Sequence, residues 1–195
     1  MPRNRTPTLA HVVYRTRKFE EMLSWYREMF HARVQHRNPA MAFLTYDDEH
    51  HRLAFIDLAT VQPDGKDSEK HGLVGVEHIA YTYPLLEDLL ENYTRLKAHG
   101  IRPYWCVHHG LTVSMYYSDP DGNQIEFQVD AFASDEESNA YISGPDFSVN
   151  PVGVEFDPED WLAQVDAGAS LADFLVRRVH EPVSPIRGAL SSVDQ

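Results

Sequence analysis

Apolar positions change their spacing in a set order along this chain, and the order occurs twice. Residues 8–14 form a short apolar run, rich in β-branched side chains and bounded by Pro7, which predicts a strand. Phe19, Met22, Leu23, Tyr26, Met29 and Phe30 then recur at i, i+3, i+4, i+7, i+10 and i+11, the stripe of an amphipathic helix. Three short extended runs follow, near 32–36, 41–46 and 52–58. The second round predicts a strand over 75–83, a helix over 85–99 and extended runs near 102–107, 111–118 and 123–129. Pro84 suits a helix start, and Gly100 suits a left-handed C-cap. Asp119-Pro120-Asp121-Gly122 predicts a turn, proline fixing φ and glycine free to take positive φ. The pattern reads βαβββ–βαβββ.

The two rounds also share residues. A shift of 67 places His11-Val12-Val13-Tyr14 on His78-Ile79-Ala80-Tyr81, and Phe19, Met22, Leu23 and Tyr26 on Leu86, Leu89, Leu90 and Tyr93. With a gap, Arg52-Leu53-Ala54-Phe55-Ile56 lies against Gln124-Ile125-Glu126-Phe127-Gln128. Each copy opens with a strand histidine, but only the second closes with a carboxylate. A lone strand histidine is ordinarily a hydrogen-bonded core or rim residue. Matched positions in a repeat single out His11 and His78, and with Glu126 they make a 2-His-1-carboxylate set that leaves metal positions open. Period-two alternation puts Gln124, Glu126 and Gln128 on one strand face, where a carboxylate is costly without a cation or hydrogen-bond donors. Paired by pseudo-twofold symmetry, the modules would bring His11, His78 and Glu126 around one concavity. Such ligands suit Fe(II), Mn(II), Zn(II) or Ni(II), and affinity alone does not choose among them.

The expected fold is α+β: paired βαβββ modules forming a half-open mixed β-barrel around a metal site, with a C-terminal tail of short helices. The domain would span 1–130, with modules at about 8–59 and 74–130 joined by a polar linker over 60–73, and 131–195 would be an extension packing on the domain or a partner subunit. Within it, Asp157-Pro158 before Trp161, Leu162 and Val165 predicts one capped helix, and Ser170 before Leu171, Phe174 and Leu175 another. Residues after Pro185 are expected to be loose. A net charge of −13 argues against a nucleic-acid partner. A single cysteine, Cys106, excludes a disulfide framework within the monomer and fits a reducing cytoplasm. No signal peptide or membrane span is expected, since no apolar run is long enough.

With these residues in place, the stretch 8–129 resembles the vicinal oxygen chelate superfamily, and within it the type I extradiol ring-cleaving dioxygenases in a one-domain form. Ala10-His11-Val12 and Val76-Glu77-His78 are similar to the two metal-histidine segments. Glu49-His50-His51-Arg52-Leu53-Ala54 resembles the segment carrying a catalytic histidine, at His51, and Val113-Ser114-Met115-Tyr116 the segment carrying a substrate-binding tyrosine, at Tyr116, ten residues before Glu126. A further substrate-facing histidine falls near His108-His109-Gly110, at slightly different spacing, and is assigned to His109 with His108 as the alternative. The resemblance implies Fe(II), or Mn(II), on His11, His78 and Glu126, a catecholic substrate and O2. His51 would take a catechol proton and later return one, and Tyr116 would hydrogen-bond the ionised substrate oxygen. Read without the resemblance, His51 is more readily a solvated turn residue, and Tyr116 is equally a packed aromatic. Phe43, Trp105, Met115, Phe132 and Tyr141 are candidate pocket residues that packing explains as well.

Three rivals stand beside this reading. A glyoxalase-type lyase, isomerase or hydrolase would use a non-redox metal, Zn(II) or Ni(II), but its fourth ligand position is Ala54, and Asp57 should face away. A metal-free drug-binding resistance protein would not need the triad. A related metal centre acting on a substrate other than a catechol, by lactone hydrolysis or thiol transfer, is the third. A homo-oligomer is left open.

Overall fold

The computed structural model of the protein describes residues 9, 11–63, 76–178 and 180–188. The chain divides into two compact units, Met1–Lys70 with Asp119–Asp121, and His71–Ser118 with Gly122–Gln195. Each unit carries one βαβββ module, so the predicted duplication is the architecture.

In the first unit the order is β1 (Val12–Thr16), α1 (Phe19–Phe30), β2 (Arg33–Arg37), β3 (Met41–Thr45), β4 (Leu53–Asp57) and a helical turn, α2 (Leu58–Val61). The four strands form one sheet in the order β1-β4-β3-β2. β1 runs parallel to β4, and the other neighbours are antiparallel. α1 forms because its apolar stripe has somewhere to go: Phe19, Met22, Leu23, Tyr26 and Met29 are all buried. Tyr26 packs at 4.9 Å from Phe55 and 5.1 Å from Tyr14. Each such side chain contributes roughly 1.5–3 kcal/mol by leaving water. The Asp119–Asp121 turn belongs to this unit, where Asp119 accepts from the Tyr26 hydroxyl at 3.1 Å. Gly122 ends that turn at φ +85°, as the turn chemistry requires.

The second unit repeats the order with β5 (His78–Thr82), α3 (Leu86–Ala98), β6 (Trp105–His108), β7 (Thr112–Ser118) and β8 (Gln124–Asp130), and then goes further. Its extension holds α4 (Asp135–Ile142), α5 (Pro145–Val149), β9 (Val154–Glu155), α6 (Pro158–Asp166) and a 3₁₀ turn at Leu171–Leu175. The sheet order is β5-β8-β7-β6-β9, with β5 parallel to β8 and β9 antiparallel to β6. Leu86, Leu89, Leu90, Tyr93 and Leu96 line the buried side of α3. Gly100 follows that helix at φ +77°, its N–H bonded to the Lys97 carbonyl.

Several boundaries differ from expectation. β1 begins at Val12, so His11 lies just before the strand rather than within it. The start of the expected linker is instead α2, because the Asp57 carboxylate caps the Ala59 N–H at 2.9 Å; residues 64–73 lie outside the described residues. The helix predicted after Ser170 is a five-residue 3₁₀ turn, and the Ser170 side chain makes no cap bond. β9, α4 and α5 are too short to leave a periodic trace. The expected loose terminus beyond Gly188 is outside the described residues. The described strands form two sheets, one in each unit, and no described helix is long and apolar enough to cross a membrane.

Candidate metal centre and its surroundings

The second unit gathers most of the predicted site on one sheet face. Ala80 and Glu126 are in register across the parallel β5/β8 pair, so His78, two residues earlier on β5, shares the Glu126 face. Its Nε2 lies 2.9 Å from Glu126 Oε2. β7 runs antiparallel on the other side of β8 and sets Tyr116 directly opposite Glu126. The hydroxyls of Tyr116 and Ser114 both donate to the Glu126 carboxylate. Glu126 is only 4% exposed. Burial pushes its carboxyl up, but the bonds from His78, Ser114 and Tyr116 outweigh this and hold it below the ordinary carboxylate value. The same partnership raises His78 to about 9, the Glu126 carboxylate first among the causes, with burial opposing and Glu77 adding to the rise.

The wall beside this pair is aromatic. Tyr116 stacks on Trp105 at 4.8 Å, and its hydroxyl lies 3.0 Å from His109 Nε2. Burial and the neighbouring Glu126 charge raise the Tyr116 phenol well above its usual value, so it stays a donor at neutral pH. Burial also lowers His109. His109 Nδ1 bonds the Val152 carbonyl, which fixes Nδ1 as the protonated nitrogen and Nε2 as an acceptor in the neutral ring, so the single Tyr116 hydroxyl proton is shared between Glu126 and His109 Nε2. The chain reverses at Gly110, φ +99°, where a Cβ would overlap the Tyr141 ring. Buried Arg177 ties this corner to the extension, donating to the carbonyls of His109, Asn150 and Asp146 at 3.2, 2.7 and 2.9 Å. His108 points elsewhere: it lines a cavity of about 240 Å³ with Phe156, Trp161 and Phe174. Met115, a candidate pocket residue, is fully buried on the opposite face of β7 with Tyr117. Phe132 and Tyr141 pack on each other at 5.3 Å.

In the first unit two predicted residues meet. The rings of His11 and His51 lie 4.4 Å apart, and the Phe43 ring stands edge-on to His51 at 4.9 Å. The turn before His51 is organised by Asp47, whose carboxylate accepts from Arg52 Nε at 2.9 Å and from the Glu49 N–H at 3.1 Å. His51 is held below its ordinary value by partial burial and then by the neighbouring His11 and His50, which leaves it a neutral base at pH 7. Ala54 is buried and offers no ligand, and Asp57 is committed to capping α2.

Among the described residues, neither unit gathers three His, Cys, Asp or Glu side chains into a metal-binding group. The second unit supplies two convergent donors, a buried carboxylate oxygen and an imidazole nitrogen. This chemistry fits a divalent cation, which would take the place of the proton the pair shares. Glu77, Gln124 and Ser114 join this group although the sequence reading gave them no role. Alternation places Gln124 and Ser114 on the Glu126 face, and that was the only available signal.

A family model for the Glyoxalase/Bleomycin resistance protein/Dioxygenase superfamily matches residues 8–127. Biphenyl-2,3-diol 1,2-dioxygenase 2 of Rhodococcus globerulus is 44% identical over 153 residues, 78% of this chain and 78% of its own length. Biphenyl-2,3-diol 1,2-dioxygenase 3 of the same organism is 40% identical over 173 residues, 88% of this chain and 89% of its own. Among solved structures, a glyoxylase/bleomycin resistance protein/dioxygenase domain from Frankia sp. EAN1pec aligns with a TM-score of 0.51 at 15% identity, covering 66% of this chain and 96% of its own. That likeness concerns the fold alone.

Proposed function

The chain belongs to the Glyoxalase/Bleomycin resistance protein/Dioxygenase superfamily, and from that footing we propose that it is an extradiol dioxygenase cleaving a catechol-type ring with O2. The observation that carries this reading is the His78–Glu126 pair, at 2.9 Å, with Tyr116 and His109 on the same sheet face. The names of the two Rhodococcus relatives favour a biphenyl-2,3-diol or a similar catechol as substrate. We assign His11, His78 and Glu126 as protein ligands of Fe(II), with Mn(II) as the alternative. When bound, the metal supplies Lewis acidity toward the diol and the redox chemistry that O2 requires.

The chain's own residues handle the protons. Tyr116, kept protonated by burial and the neighbouring Glu126 charge, turns its one hydroxyl proton from Glu126 and His109 to an ionised diol oxygen. His109, with Nδ1 committed to Val152, presents Nε2 next to the Tyr116 hydroxyl and orients it. His51, neutral at pH 7, takes a proton from the incoming diol as general base and returns it during ring opening. The buried Ala54 counts against a lyase that needs a fourth protein ligand.

The test is anaerobic loading with Fe(II), then a catechol panel that includes biphenyl-2,3-diol, followed by O2. One O2 consumed per diol, with a coloured ring-fission product, is the expected result. Metal binding without oxygen uptake on any catechol would overturn the proposal in favour of a non-redox reaction.

A further inference from the structure

His78 is gripped at both ring nitrogens by carboxylates. Nε2 faces Glu126 at 2.9 Å, and Nδ1 bonds Glu77, the residue before it. Glu77 is itself held. The Gln124 side-chain amide donates to the Glu77 carboxylate, and to the Glu77 main-chain carbonyl at 2.9 Å. The carbonyl oxygen of that amide accepts from the Tyr104 hydroxyl at 2.7 Å. Gln124 is in register with His78 across the β5/β8 pair and is 6% exposed, so its amide is a buried fixture. A hydrogen-bonded line therefore runs from Tyr104 through Gln124 and Glu77 to His78 and Glu126.

The first module carries different residues at the matching positions. Ala10 precedes His11, and Arg52 stands where the second module has Gln124. Arg52 is turned to other work, donating to Asp47 and to the Leu9 carbonyl, both at 2.9 Å. The carboxylate behind the histidine is thus a property of one module and not of the scaffold.

We propose that Glu77 is a positioning residue for the metal centre: it holds the His78 proton on Nδ1, so that Nε2, on giving up the proton it shares with Glu126, offers its lone pair to the metal, with Gln124 and Tyr104 fixing Glu77. A ligating histidine whose far N–H meets a carboxylate is both oriented and made more basic, and removal of such a partner typically weakens metal binding by about ten- to a hundredfold. Glutamine at position 77 keeps an acceptor for Nδ1–H but loses the charge, whereas alanine loses both. The inference rests on the reading of His78 and Glu126 as metal ligands.

The experiment is anaerobic Co(II) titration of the metal-free protein, read by visible absorbance and by competition with a chelator, for wild type, Glu77→Gln, Glu77→Ala and Gln124→Ala. In parallel, ¹⁵N-histidine spectra of the metal-free proteins, recorded above pH 9 where the His78 ring is neutral, report its tautomer. The expected order of affinity is wild type, then Glu77→Gln, then Glu77→Ala about ten- to a hundredfold weaker, with Gln124→Ala lying between wild type and Glu77→Ala. The Nδ1–H signal should persist in Glu77→Gln and give way to mixed tautomers in Glu77→Ala. Wild-type binding matched within twofold by Glu77→Ala, with an unchanged tautomer, would overturn this inference and leave the proposed function standing. Failure of wild type itself to bind Co(II) would overturn both.

Discussion

The β1–β4–β3 strands of the first module and the β5–β8–β7 strands of the second run in the same register, and three side chains on and opposite the last strand differ between them. In the second, Glu126 on β8 lies opposite Tyr116 on β7, and Ser114 is two residues away on the same face. In the first, Ala54 on β4 lies opposite Phe43 on β3, with Met41 in the place of Ser114. A buried carboxylate without donors is expensive, so the second module brings its donors with it, and the first, holding no carboxylate there, packs apolar groups instead. The duplication supplies two equivalent strand pairs; one carries a buried carboxylate with its donors, and its twin carries apolar side chains at the same positions.

The strongest way to break this asymmetry is to erase it. Glu126→Ala makes the second module resemble the first. Metal affinity should fall by more than about a hundredfold, the upper range for losing an outer partner alone, and turnover should disappear with it. Metal-content analysis of the purified variant checks this, and full retention would remove Glu126 from the ligand set.

His51 tests what the first module contributes. His51→Ala should leave metal content unchanged and lower turnover by about 10²- to 10⁴-fold, the range for a general base. Its pH–rate profile should also lose the rise that follows loss of the imidazole proton. That rise should lie below the ordinary histidine value, since partial burial and the neighbouring His11 and His50 all disfavour the charged ring. Steady-state oxygen uptake across pH measures both effects, and a variant with wild-type turnover would return His51 to the role of a turn residue.

The converse change installs the carboxylate without its donors. Ala54→Glu should destabilise the protein by about 3–5 kcal/mol, as an unpaired buried charge does. Adding Phe43→Tyr should recover part of that loss, because it supplies the hydroxyl that Tyr116 supplies to Glu126. Denaturant unfolding of both variants checks this, and equal losses would mean that donors are not what makes the second site tolerable.

How far the sequence revealed this arrangement depends on the scale of each signal. α1 and α3 were legible because their stripes run over three turns, and the strand order because it repeats. The convergence of His78 with Glu126 followed from repeat position and alternation together. Alternation assigns a face but not a partner, so Glu77 and Gln124 carried no visible role, and Met115 was grouped with pocket candidates although it lies on the other face. The start of β1 was placed too early because apolar, β-branched residues continue past the point where pairing begins. Separating His109 from His108 needed the Gly110 reversal and the Val152 carbonyl, a contact made across 43 positions of sequence.

A second contrast between the modules lies at their third strands. β2 is exposed at all five positions, and its two terminal arginines keep that edge polar. β6, its counterpart, is covered by β9 and is mostly buried. The cover leaves His108 4% exposed and pushes its pKa down to about 4, burial being the main cause. The unfolded chain takes up a proton near the ordinary value of 6.5, while the folded protein does so only near 4. Between these values the unfolded state binds more protons, so the stability is fully present above pH 6.5 and is lost as pH falls toward 4. A difference of that size corresponds to roughly 3 kcal/mol at most. Carboxylates titrate in the same range, so the informative quantity is the difference between wild type and His108→Asn, which keeps an acceptor for the Gly110 N–H that His108 Nδ1 now receives at 3.0 Å. In chelator-treated protein, wild type should lose more stability than the variant between pH 7 and pH 4.5 (roughly 2–3 kcal/mol more). Parallel curves would show that His108 charges in place without cost, and that β9 and the extension do not seal this strand from water.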